Sequence, residues 1–282
     1  MNSILKTIED VSERYSINTL ASIASLMGGM FLILGKFGIV ELCKTQVAFS
    51  ILLFIISGTI IIVGWSNVCS KYSRLKKCAE EFHSINHAYR DCLGAILTKE
   101  QVTNNRSLLL LEQYTLEIVC QKIVRIFRNL INANCVVTVK LLTDDKKFCF
   151  AWARSERETE RDMYGEELFE VGNNKNTGFD EALKFRPQKT SYFYSADLVK
   201  LAKKRKYQNH RDGWENLYKS TIIVPIRHVI DIRNSKINIL GFLCVDTKSR
   251  NRLNDGFHVY YLAGFADQMY NFISIMRNKY AL

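Results

Sequence analysis

His83, His87 and Asp91 recur every four residues, so on a helix their side chains share one face. Imidazoles and a carboxylate in such a row could bind a divalent metal. A solvated polar face explains the row equally well, and neither a metal nor any other cofactor is expected. His210, His228 and His258 have no neighbours that complete a base or a ligand set. Gly29 and Gly35-Lys36 have the wrong spacing for a phosphate-binding loop, and no Ser or Thr follows the lysine. The densest basic run is Lys200, Lys203, Lys204, Arg205, Lys206 and Arg211. It would suit an anionic lipid headgroup, a phosphate-bearing ligand or a nucleic acid, or it is simply a solvated helix face. No RNA-binding aromatic motif accompanies it, so nucleic acid is not an expected partner. No catalytic constellation stands out, and the expectation is a protein that is not an enzyme.

Two long apolar runs set the placement of everything else. Residues 17–35 and 45–70 carry no charge at all. Each reaches the roughly 18–20 residues that a helix needs to cross a hydrocarbon core of about 30 Å. Lys6 and Arg14 precede the first run, while Lys71, Arg74, Lys76 and Lys77 follow the second. Of the basic residues, only Lys36 and Lys44 lie between them. The positive-inside rule then predicts a multi-pass inner-membrane (cell-membrane) protein with both termini cytoplasmic. The lipid bilayer is its first expected partner. Residues 1–16 form a polar lead, and 17–67 hold the two transmembrane helices. Ala21, Ser25 and Gly29, four apart, are the candidate helix–helix contact in lipid. The net charge of +11 fits an anionic leaflet but also other anions.

Residues 68–106 read as a helical stalk. Val68, Tyr72, Leu75, Ala79, Phe82, Asn86, Tyr89, Leu93 and Ile96 alternate by four and three, with Asn86 at a core position where an amide can fix register. Either this seam self-associates, giving a homo-oligomer, or the stripe packs on its own domain. A second helix follows from about Ser107. After Asn134 the period changes to two: Val137, Val139 and Leu141 alternate with Thr138 and Lys140, as in a strand. Phe148–Arg154 pairs with it through the turn Thr143–Lys146. Thr177 caps a short helix, Ser191–Tyr194 is a strand, and Leu198–Tyr207 is a basic helix. Ser220–Arg227 and Ile237–Asp246 are apolar strands, and Phe257–Met276 is a closing helix. The fold class is α+β, an antiparallel sheet flanked by helices over residues 107–282. The eight cysteines show no paired spacing and read as reduced, mostly buried thiols, with Cys135 and Cys149 able to face one another on neighbouring strands.

Ser220-Thr-Ile-Ile-Val-Pro-Ile-Arg227, Ile239-Leu-Gly-Phe-Leu-Cys-Val-Asp246 and Leu262-Ala-Gly-Phe-Ala-Asp-Gln268 resemble the C-terminal half of a GAF domain. Lys189–Asp197 is similar to the family's strand that ends in aspartate. The resemblance spans about Leu108–Met276. It implies a small-molecule pocket between the sheet and the helices on one face, or a ligand-free dimerisation module. The cysteine–histidine pair for bilin attachment is absent. Tyr260 and Tyr261 stand where cyclic-nucleotide members carry an acidic pair. From the family layout the ligand-binding candidates are Trp152, Tyr194, Asp197, Lys219, Thr221 and Arg227. Arg227 offers a planar fork for phosphate or carboxylate, and the two aromatics could stack on a base.

No kinase, cyclase or DNA-binding segment is recognised after the last helix. A sensed signal would therefore pass to the chain's own membrane helices or to a partner. The architecture is similar to the membrane effectors of nucleotide-signalled antiphage systems. The expectation is a membrane-anchored sensor/effector for a small, anionic, nucleotide-type ligand such as a cyclic nucleotide. The rival is a ligand-free adaptor that recruits a signalling partner.

Overall fold

The computed structural model describes residues 29–30, 33, 35–36, 44–98, 105–156, 167–184, 191–209, 211, 213–231 and 236–280. The chain divides into two compact units, Met1–Lys76 and Lys77–Leu282. In the first unit, Gly29, Met30, Ile33, Gly35 and Lys36 are helical, and helix α1 (Lys44–Thr98) begins. α1 is long and apolar enough to cross a membrane by length and composition. Its Ile51, Leu52, Phe54, Ile55, Ile56, Ile62 and Val63 are exposed. Most of the first expected span, with Ala21 and Ser25, lies outside the described residues. A Cβ placed on Gly29 meets no described atom within 4 Å.

The second unit starts within α1 and continues with α2 (Asn105–Ile131), β1 (Val136–Leu142), β2 (Phe148–Arg154), β3 (Phe169–Glu170), α3 (Thr177–Leu183) and β4 (Phe193–Ser195). Then follow α4 (Leu198–Lys203), α5 (Trp214–Leu217), β5 (Ser220–Asp231), β6 (Lys236–Thr247) and α6 (Phe257–Tyr280). The strands form one antiparallel sheet in the order β3-β2-β1-β6-β5-β4. The β1–β2 hairpin closes on Thr143–Lys146, where Asp145 accepts from Thr143 Oγ1 (2.6 Å) and Lys147 N (3.0 Å). Lys146 takes the left-handed φ of 58° that such a turn requires.

Alternation along the strands builds two cores. Val137, Val139 and Leu141 of β1, Ile222, Val224 and Ile226 of β5, and Leu243 and Val245 of β6 face a layer made by α2, α6 and the second half of α1. The facing side chains include Ile85, Tyr89, Phe127, Phe265 and Phe272. The opposite face carries Cys149, Ile223, Phe242 and Cys244, covered by Phe179, Leu198, Tyr207 and Trp214. Burying an apolar side chain of this size contributes about 1.5–3 kcal/mol, so a sheet covered on both faces is heavily stabilised.

Of the expected α1 stripe, Tyr89, Leu93 and Ile96 pack on the domain core beside Cys78, Ile85 and Cys92, and the Phe82 ring lies 5.8 Å from that of Phe265. Val68, Tyr72, Leu75 and Asn86 are exposed in this protomer. Two expectations need correction. Cys135 and Cys149 belong to different cores, because the two positions face opposite sides of the sheet. Asn176, not Thr177, is the residue before α3; Thr177 Oγ1 instead accepts from Gln208 N at 2.9 Å.

Candidate functional site

A cavity of about 50 Å³ lies between the sheet and the smaller helical layer. Strands supply Thr138 and Lys140 (β1), Arg154 (β2), Thr221 and Ile223 (β5), and Cys244 and Asp246 (β6). The covering layer supplies Phe179, Tyr207, Asn209, Arg211 and Tyr218. Gly178 of α3 sits tightly on the sheet, since a Cβ there would come within 2.6 Å of Ile223 Cδ1. That close approach brings Phe179 over the strands.

Lys140 is the distinctive residue. It is only 8% exposed, on a strand covered on both faces. Its ammonium lies 3.1 Å from the centre of the Phe169 ring and 5.4 Å from that of Phe179. Ring faces offset part of the cost of burying the charge. Among the described residues no carboxylate lies within 4 Å of it. Burial holds its pKa below the usual lysine value; Cys149, Cys244 and Glu167 pull it back up, and Arg154 pushes it down.

The other charges are more fully arranged. Arg154 is 8% exposed. Arg211 Nε donates to Glu167 Oε1 at 3.2 Å, and its Nη2 donates to Oε2. Burial raises the Glu167 pKa, while Lys140 and Arg154 pull it down. Asp246 accepts from Thr221 Oγ1 at 2.6 Å. Asn209 Nδ2 donates to the hydroxyls of Tyr207 (2.8 Å) and Tyr218 (2.6 Å). Burial pushes the Tyr207 phenol up to about 12, so both tyrosines stay neutral. Among the described residues, Lys140, Arg154 and Arg211 line the cavity with Asp246, and Glu167 pairs with Arg211. Such a lining is suited to an anion. Beside it lies an open groove of about 330 Å³ that shares Asp246 and is edged by Arg128, Glu156 and Lys248.

The sequence candidates scatter relative to this cavity. Thr221 lines it, as does Tyr218, the neighbour of the candidate Lys219. Trp152 packs on the opposite face, where Gln113 donates to its carbonyl at 3.1 Å. Tyr194 is also on that face, its hydroxyl donating to Leu253 O at 3.0 Å. Asp197 caps α4 by accepting from Lys200 N at 3.0 Å. Lys219 contributes backbone bonds to Thr247 and Leu198. Arg227 donates to Ser191 Oγ at 3.2 Å and lies near Asp267 of α6, away from the cavity lining. Arg211 leaves the basic cluster to pair with Glu167, while Lys200, Lys203, Lys204, Arg205 and Lys206 stay exposed. His83 and His87 bring their Nε2 atoms to 2.8 Å, but Asp91 pairs with Arg90. No group of three metal-binding side chains occurs among the described residues. Nothing local in the sequence marks Arg154, and the one signal for Lys140 is its alternation with Val139 and Leu141.

An antiparallel sheet with helices on both faces and a cavity under one layer is the arrangement that the motif resemblance implies. The fold is GAF-like. The GAF-like unit is similar to the GAF domain of a phosphoenolpyruvate-protein phosphotransferase from Coxiella burnetii. The two are 14% identical over 75% of this chain and 99% of that one, with a TM-score of 0.43. The corresponding domain from Acinetobacter is 12% identical over 71% and 98% of the two chains, with a TM-score of 0.42. The GAF domain region of a putative membrane protein from Geobacter sulfurreducens PCA is 13% identical over 59% and 98%, with a TM-score of 0.41. No family model matches the chain, and no curated protein matches it.

Proposed function

We propose that this protein is a membrane-anchored, non-enzymatic sensor whose GAF-like domain binds a small anionic ligand in the Lys140 cavity. One observation carries the reading: a buried lysine with no carboxylate within ion-pair distance among the described residues lines that cavity together with Arg154 and Arg211. An uncompensated buried ammonium costs several kcal/mol, and an anion seated beside it recovers much of that cost. A nucleotide-type ligand suits the site if its phosphate enters the cavity and its sugar and base occupy the groove that shares Asp246. Output then passes through the chain's apolar helices in the inner membrane, with both termini cytoplasmic. An effector that disturbs that membrane in antiphage defence is the version of this scheme that the architecture favours.

Titration calorimetry on the full chain in detergent tests the reading, with inorganic phosphate, small carboxylates and cyclic mononucleotides as probes. At least one should bind saturably, and Lys140→Met should abolish that binding. Absence of saturable binding by the wild type would overturn it. A second reading, the ligand-free adaptor, is favoured by the exposed Val68, Tyr72 and Leu75, which leave an apolar stripe for a second copy or a partner.

A further inference from the structure

The chemistry around Lys140 narrows the ligand further. A primary amine is both a cation and, when neutral, a nucleophile toward carbonyl carbon. Exposed lysines are protonated and act only as cations. Lys140 differs in three respects that the geometry supplies. Its amine is enclosed, with the Phe169 ring face 3.1 Å away and Phe179 beyond it. Among the described residues no carboxylate pairs with it to hold its proton. The guanidinium groups of Arg154 and Arg211 line the same small cavity and would hold a carboxylate or phosphate while the amine reacts. Desolvation, the largest influence, favours the neutral amine, against the opposing pull of Cys149, Cys244 and Glu167.

We infer that the cavity takes a small carbonyl-bearing anion, a 2-oxo acid or an aldehyde with an acidic group, and that Lys140 captures it reversibly as an imine. The inference rests on the anion-binding reading above. The amine nitrogen bonds to the carbonyl carbon to give a carbinolamine. The carbon–oxygen bond then breaks, and the oxygen leaves as water with the two hydrogens of the amine. Nothing is oxidised or reduced. Hydrolysis reverses the step. The cavity, about 50 Å³ in volume, favours a compact anion over a large one.

Glyoxylate with sodium cyanoborohydride provides the test, applied to the full chain in detergent. The reductant fixes any imine as a secondary amine, which peptide mass spectrometry locates. Lys140 should be alkylated about tenfold faster than the exposed lysines Lys200 and Lys203, as a desolvated amine would be. Excess inorganic phosphate, which competes for the arginines, should slow the reaction at Lys140 alone. Lys140→Arg should lose the fast site, but the wild-type comparison stands even if that variant fails to fold. Alkylation of Lys140 no faster than of the exposed lysines would overturn the imine. If a small anion still bound saturably by calorimetry, the anion-binding reading would survive that result. If none bound, both would fall.

Discussion

Lys140 stands on an inner strand, and its surroundings set the energetics of the site. Replacing it with methionine keeps the length and removes a buried charge. Lys140→Met should therefore stabilise the domain by about 1 kcal/mol or more while abolishing anion binding. The pH dependence has a definite sign. The amine's folded pKa lies below its ordinary value of 10.5. Between those two values the unfolded chain holds a proton that the folded chain has lost, so stability rises with pH. The advantage of Lys140→Met should accordingly shrink as pH rises toward 10.5, in paired chemical denaturation curves. His258 supplies a second titration. Its Nδ1 accepts from Asn254 N at 2.9 Å, and burial lowers its pKa below 6.5. The unfolded chain then binds the proton first, and stability falls as pH drops below 6.5. His258→Gln should remove most of that acid sensitivity between pH 7 and 5 in thermal melts.

At the scale of elements, the β1–β6 pairing holds the cavity floor. Gly241 stands opposite Leu141, and a Cβ there would come within 2.0 Å of the Lys140 carbonyl oxygen and 2.9 Å of Leu141 Cα. Backbone cannot yield as a side-chain tip can. Gly241→Ala should cost about 3 kcal/mol or leave the domain unfolded, read as a lowered denaturation midpoint. Gly264 on α6 has nothing within 4 Å of an added Cβ, so Gly264→Ala should be neutral or slightly stabilising in the same assay. The contrast separates a glycine required by sheet packing from one on an open helix face.

At the scale of the whole molecule, α1 joins an apolar stretch to the GAF-like unit. The full chain should stay with membranes through an alkaline carbonate wash, and a reporter fused at Leu282 should be active in the cytoplasm. A periplasmic C-terminus would break the scheme at its charge asymmetry. The exposed stripe of α1 makes a separate prediction. Tyr72→Glu with Leu75→Glu should lower the oligomeric mass in detergent by light scattering, if copies meet there.

Periodicity and motif determined most of the elements, but not the two-residue β3 or the short α5. The change from period four to period two after Asn134, and the motifs around Ser220 and Gly241, located the sheet and its flanking helices, because apolar spacing directly records which face is buried. Long uncharged runs identified the membrane candidates for the same reason. The site was less legible. Thr138 and Lys140 read as the polar side of a half-exposed strand, and only the layer formed by α3, Tyr207 and Trp214 turns that side inward. Trp152 and Tyr194 have the right chemistry for a pocket, but strand register turns both to the other face. Arg154 and Arg211 are far apart in sequence and meet at one cavity only through the fold. Local spacing specifies which residues share a face; what covers that face depends on long-range packing, and it was this packing that selected Lys140.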